Sequence, residues 1–395
     1  GPLSGQEAAR LALEAADRRD FLRAVEDLER LDASRRADDV VPVLLARLWI
    51  RLHRPQEALR VAGGAAERAP GRVELSRIRA DACRALGRMD DARDLLSSAS
   101  RQLAAGHGGA ADDRDLALDT HMEAGLLLLE PGGSLETAAA CFDRAAAVAP
   151  ESWRPVYGTA RVALDRGDSR RARELFESAG ERLQSRSPGP AELRRWSAAA
   201  KGLTGDLGAS AREILALVRE NPGEIENFKA FRRVFGSKEE EPEVVRVLHL
   251  ERALGAKLEA HSALLGTLAA TPFLQSSGLY LEVGRSFLGQ GLRDRALDCF
   301  LLGADLDRES LAGLSAAEAI LTSPRDVFLR LRTLRRILER SPGDAAALET
   351  LIRAYLELGI RLPEAEELAL RLLDVRPGED SERLLTAVRA RRSAG

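Results

Sequence analysis

Lysine is almost missing from these 395 residues. Lys201, Lys229, Lys238 and Lys257 are the only four, and arginine supplies the other 55 of the 59 basic charges. With abundant alanine, leucine and glycine, this reads as coding bias from a GC-rich, bacterial genome rather than a demand for bidentate anion binding. Aromatic residues are only 4% of the chain. That is poor for an all-β core and comfortable for packed helices. The three cysteines, Cys83, Cys141 and Cys299, lie far apart without C-x-x-C spacing, which argues against a disulfide framework or a zinc site. No apolar run reaches 18 residues, and the stretch 40–50 is broken by Arg47, so no transmembrane span is expected in this chain. Charge nearly balances, with 62 acidic residues and a net charge of −3, unlike a general nucleic-acid binder.

Catalytic patterns are also missing. His53, His107, His121, His249 and His261 form neither an H-E-x-x-H nor an H-x3-H pair. His249 and His261 are over three helical turns apart, too distant to share a metal within one helix. Gly202, Gly205 and Gly208 lack the spacing and the preceding strand of a phosphate-binding loop. There is no G-x-S-x-G elbow. The expectation is a chain without catalytic residues, cofactor or metal.

What is present is a repeat. Ala24, Ala58 and Ala92 are 34 residues apart, as are Ala138 and Ala172. Ala296, Arg330 and Ala365 continue the period at 34 and 35, and Ala211 and Val244 are weaker anchors between. Individual units carry a shared pattern. One runs Tyr280, Val283, Gly284, Phe287, Gly291, Ala296, Phe300; another Leu45, Ala46, Trp49, Ala58, Ala62, Pro70. A third has Ala138, Phe142, Ala145 and Pro150, and a fourth Leu351, Ile352, Tyr355, Gly359, Ala365 and Pro377. Small residues let two helices approach, and large ones fill the space between them. Gly87, Gly167, Gly291 and Gly359 suit a left-handed helix end, and Pro70, Pro150, Pro222, Pro342 and Pro377 stop the second helix.

In period and pattern the chain resembles the tetratricopeptide repeat family over nearly its whole length, with about ten repeats. The resemblance implies an all-α fold: an α-solenoid of helix-turn-helix units, A and B, stacked into a right-handed superhelix with A helices on its concave face. One unit cannot bury its own apolar face, so stacking completes the core.

Departures from the period suggest the domain plan. Residues 1–4 read as a protease scar and are set aside. Residues 5–250 form an N-terminal array of about seven repeats, with loop insertions near 100–116 and 184–191. Residues 251–272 form an irregular helical insertion, adding a helix or lengthening one. Residues 273–395 form a C-terminal array ending in a capping helix. Arg166-Gly167-Asp168-Ser169 spells an adhesion tetrapeptide, but its place between two helices reads as a turn. The run 238–243, Lys-Glu-Glu-Glu-Pro-Glu, reads as a helix start. Cys141 and Cys299 share a core position of helix B and read as small apolar fillers.

The family's groove positions point to candidate binding residues. They give a row of arginines, Arg47, Arg161, Arg233, Arg285 and Arg353, with Arg77, Arg84, Arg154, Tyr157, Trp196 and Lys229 nearby. Guanidiniums beside aromatics suit carboxylates and acidic peptides. Asp81, Glu74 and Glu123 fall in the same groove and weigh against a purely basic surface. The Lys and Asn pairing of chaperone-tail binders is absent. The resemblance implies a non-catalytic scaffold binding a partner peptide or helix, possible acidity of that partner being the arginine row's suggestion. Alternatives are the substrate-recruiting arm of a larger enzyme (glycosyltransferase-, sulfotransferase- or peptidase-like) and a peptide-sensing regulator. No nucleic-acid partner is expected. A cytoplasmic location is favoured, with a periplasmic or membrane-anchored native form left open.

Overall fold

The computed structural model describes residues 10, 13–33, 40–106, 113–183, 189–237 and 241–393, and among them there is no strand. Residues 13–17 are helical. The helices that follow, in chain order, are α1 (Phe21–Ala33), α2 (Val40–Arg51), α3 (Pro55–Arg68), α4 (Val73–Ala85), α5 (Met89–Ala104), α6 (Arg114–Leu128) and α7 (Leu135–Val148). Next come α8 (Trp153–Asp165), α9 (Ser169–Arg182), α10 (Ala191–Leu203), α11 (Leu207–Glu220), α12 (Ile225–Phe235) and the long α13 (Pro242–Ala270). The last are α14 (Ser277–Gly289), α15 (Arg293–Leu306), α16 (Ala312–Ile320), α17 (Val327–Arg340), α18 (Ala345–Leu358), α19 (Leu362–Val375) and α20 (Glu379–Ser393). The anticipated scar 1–4, the centre of the glycine-rich loop with His107, the loop at 184–188 and residues 238–240 of the charged run lie outside the described residues.

Two compact units divide the chain. One comprises Val25–Ala269; the other comprises Ala270–Gly395 together with Leu11–Ala24. In the first, α2 to α11 alternate as A and B helices, each packed on the next. The A helices also meet one another: α2 touches α4, α6 touches α8, and α10 touches both α8 and α12. In the second unit α14 to α19 pair in the same way, and α20 covers α18 and α19. These are stacked helix pairs, in an all-α solenoid arrangement within each unit.

The local chemistry explains the pairs. Between A and B the chain turns sharply through a left-handed residue, Gly87 at φ 74°, Gly167 at 85° and Gly291 at 77°, where a side chain costs energy. Arg19, His53 and Arg361 hold the same conformation without being glycine. Helix starts are capped by short polar side chains. Asp168 Oδ1 accepts from Arg171 N at 3.0 Å, so the adhesion-like tetrapeptide is a capped turn. Ser134, Asp206 and Asp344 cap α7, α11 and α18 likewise. Close approach of A to B rests on small residues. A Cβ on Gly284 would stand 2.5 Å from Phe300 Cε1 and 3.2 Å from the Ala296 carbonyl. Ala58, Ala92, Ala138, Ala172, Ala296 and Ala365 are all fully buried, as the period implies. Cys83, Cys141 and Cys299 are buried thiols.

Two repeat anchors sit differently from the sequence pattern. In α11 the fully buried position four residues after the cap is Ser210, not Ala211. Asp206 sets the start of that helix, and the register follows the cap. In α17 Arg330 stays at the surface and bonds Glu318, while Leu331 is buried. There the turn Pro324–Asp326 runs into the helix with Asp326 already helical, so no extended cap residue sets the phase. Residues 251–270 continue the helix that starts at Pro242 instead of forming a separate element.

Candidate functional site

In the first unit, several candidate arginines on A helices meet carboxylates from other A helices. Arg77 of α4 grips Glu123 of α6 with two bonds, Nε to Oε2 at 2.9 Å and Nη2 to Oε1 at 2.5 Å. Arg154 of α8 reaches back to Asp119 of α6 at 2.7 Å. Arg233 of α12 spans to α8, donating to Asp165 Oδ1 and to the Leu164 carbonyl, both at 2.5 Å. Lys229 pairs with Glu226 at 2.5 Å and Arg84 with Asp81 at 3.6 Å.

These pairs shape the electrostatics. Burial raises the Asp81 carboxyl above its usual range, and Glu123 adds to that. Burial alone would lower Arg77, but the bond and charge of Glu123 carry it above its ordinary value. Lys229 shows the same balance, with Glu226 outweighing burial.

At the centre stands Arg161. Its guanidinium carbon lies 3.8 Å from the ring centroid of Trp196 on the next A helix, a cation–π stack. Its Nη1 donates to Tyr157 Oη at 3.3 Å. Tyr157 in turn packs edge-on to Trp153, with centroids 5.8 Å apart, and tilted against Phe176. Burial, opposed by Arg161, raises the Tyr157 phenol. Tyr157 and Trp196 are both buried, so they lie beneath the surface and orient Arg161. Arg47 is exposed on α2. Arg285 and Arg353 belong to the second unit; both are exposed, and Arg353 pairs with Glu349 at 2.5 Å. The eleven candidates therefore fall on two separate units.

The sequence did not show which polar groups join His121 and Cys141. Ser100 Oγ lies 2.8 Å from His121 Nδ1, while Arg144 Nη1 donates to Ser100 Oγ at 3.2 Å. Cys141 Sγ lies 3.7 Å from the same hydroxyl. With Arg144 donating, the hydroxyl is free to donate to a neutral imidazole. Burial, then the charge of Arg144, brings His121 down to about 4. A serine bound to a neutral histidine is half of a nucleophile constellation. Here Ser100, His121 and Cys141 are all buried. The sequence signal was the setting of His121 among Leu118, Met122 and Gly125 on one helical face. A second buried node joins α10 to α12, where Arg195 Nε donates to Asn227 Oδ1 at 2.8 Å and Asn227 Nδ2 to the Leu217 carbonyl at 3.0 Å.

Between α9, α10 and α11 lies an open cleft of about 560 Å³, floored by Phe176, Leu193 and Ala198 and rimmed by Arg194 and Lys201. Arg194 is fixed there by Glu213 at 2.6 Å and Glu220 at 3.0 Å. Among the described residues no three His, Cys, Asp or Glu side chains are gathered as for a metal ion. No described helix is long and apolar enough to cross a membrane.

The described residues form an all-α array of stacked helix pairs. No family profile matches the chain, and no curated protein is significantly similar to it. Among solved structures, it is similar to a tetratricopeptide repeat protein from Parabacteroides merdae ATCC 43184, at 16% identity and TM-score 0.43, covering 81% of this chain and 99% of that one. It is also similar to PilW, a type IV pilus biogenesis factor, at 16% identity and TM-score 0.45, covering 58% of this chain and 100% of that one. The assembly chaperone of RpL4, Acl4, matches at 13% identity and TM-score 0.44, covering 62% of this chain and 100% of that one.

Proposed function

We propose that the protein is a non-catalytic interaction scaffold that takes an extended segment or helix of a partner protein on the A-helix face of its repeats. The observation that carries this reading is the interleaving of charge between A helices: Arg77 with Glu123 and Arg154 with Asp119 on successive A helices, and Arg233 with Asp165 two A helices apart. The half-exposed Arg154–Asp119 pair holds only about 0–1 kcal/mol. A partner that brings its own carboxylates can therefore exchange with Asp119 at small cost, whereas Arg77–Glu123 and Arg233–Asp165 are more shielded. The stacked Arg161, oriented from below by Trp196, offers the best-ordered guanidinium for such an exchange, because little side-chain freedom is left to lose. The partner segment is acidic in this reading, and Arg47 and Arg84 extend the contact.

The test is a panel of extended acidic and neutral decapeptides, read by fluorescence anisotropy at low and physiological salt. Wild-type protein should prefer the acidic members and lose them as salt rises. A variant carrying Arg47→Glu and Arg84→Glu, both exposed and outside the core, should fold normally and bind them more weakly. Equal binding of acidic and neutral peptides, or no effect of the two substitutions on acidic-peptide binding, sinks the acidic-segment reading.

A further inference from the structure

The second unit contains a contact made by residues close to the start of the chain. Residues 13–17 are helical and end in the turn Arg18–Arg19. The turn is closed by Arg19 N donating to the Ala16 carbonyl at 3.0 Å and Asp20 N to the Ala15 carbonyl at 2.8 Å. Arg19 sits at φ 59°, a conformation in which Gly87, Gly167 and Gly291 serve the equivalent turns of other pairs. A non-glycine residue is strained there. Its side chain shows what the position provides. Nε donates to Asp298 Oδ1 at 2.6 Å, and Nη2 to Asp294 Oδ1 at 3.3 Å, both on α15. From α17, Arg332 Nη1 donates to the Arg18 carbonyl at 2.7 Å, and its Nη2 lies 3.7 Å from Asp20. The turn is thus held between an acidic strip on one B helix and an arginine on the next.

We propose that residues 13–24 form a displaceable latch, and that the strip it covers, Asp294 and Asp298 with Arg332, is a docking surface for an arginine-bearing helical turn of a partner. The occupant is identified by what the strip already accepts: a guanidinium between two carboxylates, with a backbone carbonyl and a carboxylate offered to Arg332. The rim of the grip is solvated, Asp294 being 83% exposed and Arg332 40%, while Arg19 and Asp298 are mostly shielded. The rim pairs are individually weak and screened by salt. Buried Phe21 and Ala24 continue the latched segment, so a competing segment needs an apolar residue shortly after its arginine.

The test uses the full chain. Arg19→Glu places like charge against Asp294 and Asp298, whereas Arg19→Gln leaves a non-glycine residue at this φ and removes only the charged guanidinium. Amide hydrogen exchange should quicken about tenfold over residues 13–24 in both variants, with α18 and α19 unchanged. A labelled peptide of residues 13–24 should bind the Arg19→Glu protein and not the wild type, and Arg19→Glu with Asp298→Lys should lose that binding. Exchange in Arg19→Gln as slow as in wild type would overturn the latch. A peptide that fails to bind the opened Arg19→Glu protein would overturn the docking surface.

Discussion

A Cβ added to Gly158 of α8 would stand 2.2 Å from Cδ1 of Phe142 on α7. The same ring faces Gly125 of α6, where a Cβ would lie 2.5 Å from Cε1. Phe142 is fully buried, so one aromatic ring joins its own A helix to the A helix of the next pair, and both make room by having no side chain. Gly158→Ala forces that ring off its rotamer. The expected loss is about 1–3 kcal/mol, despite alanine's better helix propensity. Urea denaturation checks it; an unchanged or higher midpoint would show that the ring can move aside freely.

Ser210 makes the opposite case. It is fully buried, and its hydroxyl has no hydrogen-bond partner. Ala138 and Ala172 hold the equivalent place in the preceding pairs. An unmet buried hydroxyl costs about 1–3 kcal/mol, so Ser210→Ala should stabilise the protein by roughly 1 kcal/mol. Thermal unfolding decides, and a lowered midpoint would show that the hydroxyl is satisfied in solution.

His121 gives the fold a defined response to acid. Its folded value of about 4 lies below the ordinary 6.5, so the unfolded chain takes up the proton first. The stability it contributes is complete above about pH 6.5 and is lost as pH falls toward 4. The loss is up to about 3 kcal/mol. Urea titrations of wild type and His121→Gln between pH 7.5 and 4.5 should diverge in slope over this window. Parallel curves would mean that His121 is not held neutral.

The pair of Arg154 with Asp119 links two A helices at 2.7 Å, both side chains being about 40% exposed. Its coupling energy should be small, about 0–1 kcal/mol, and should fade at high salt. A double-mutant cycle with Arg154→Ala and Asp119→Ala measures it. A coupling above 2 kcal/mol, insensitive to salt, would mean that the A-helix face is rigidly locked and poorly suited to exchange partners.

The repeat was legible in the sequence because its signals are local. Ala58, Ala92 and Ala172 mark close contacts at a fixed distance from their turns, Gly87 and Gly167 mark left-handed turns, and Pro70 and Pro150 mark helix ends. Each is imposed by backbone geometry within a few residues. What the arginines do was not legible, since a partner such as Asp165 for Arg233 or Glu123 for Arg77 is 68 or 46 residues away. The groove positions named the cations but could not show which of them meet carboxylates from another helix. The shift from Ala211 to Ser210, the burial of Trp196 under Arg161, and the grip of Asp298 on Arg19 likewise depend on how helices stack. Periodicity therefore determined the helix pairs, while the tertiary structure alone decided the charge pairing on their faces, because Coulomb energy depends on separation in space and not along the chain.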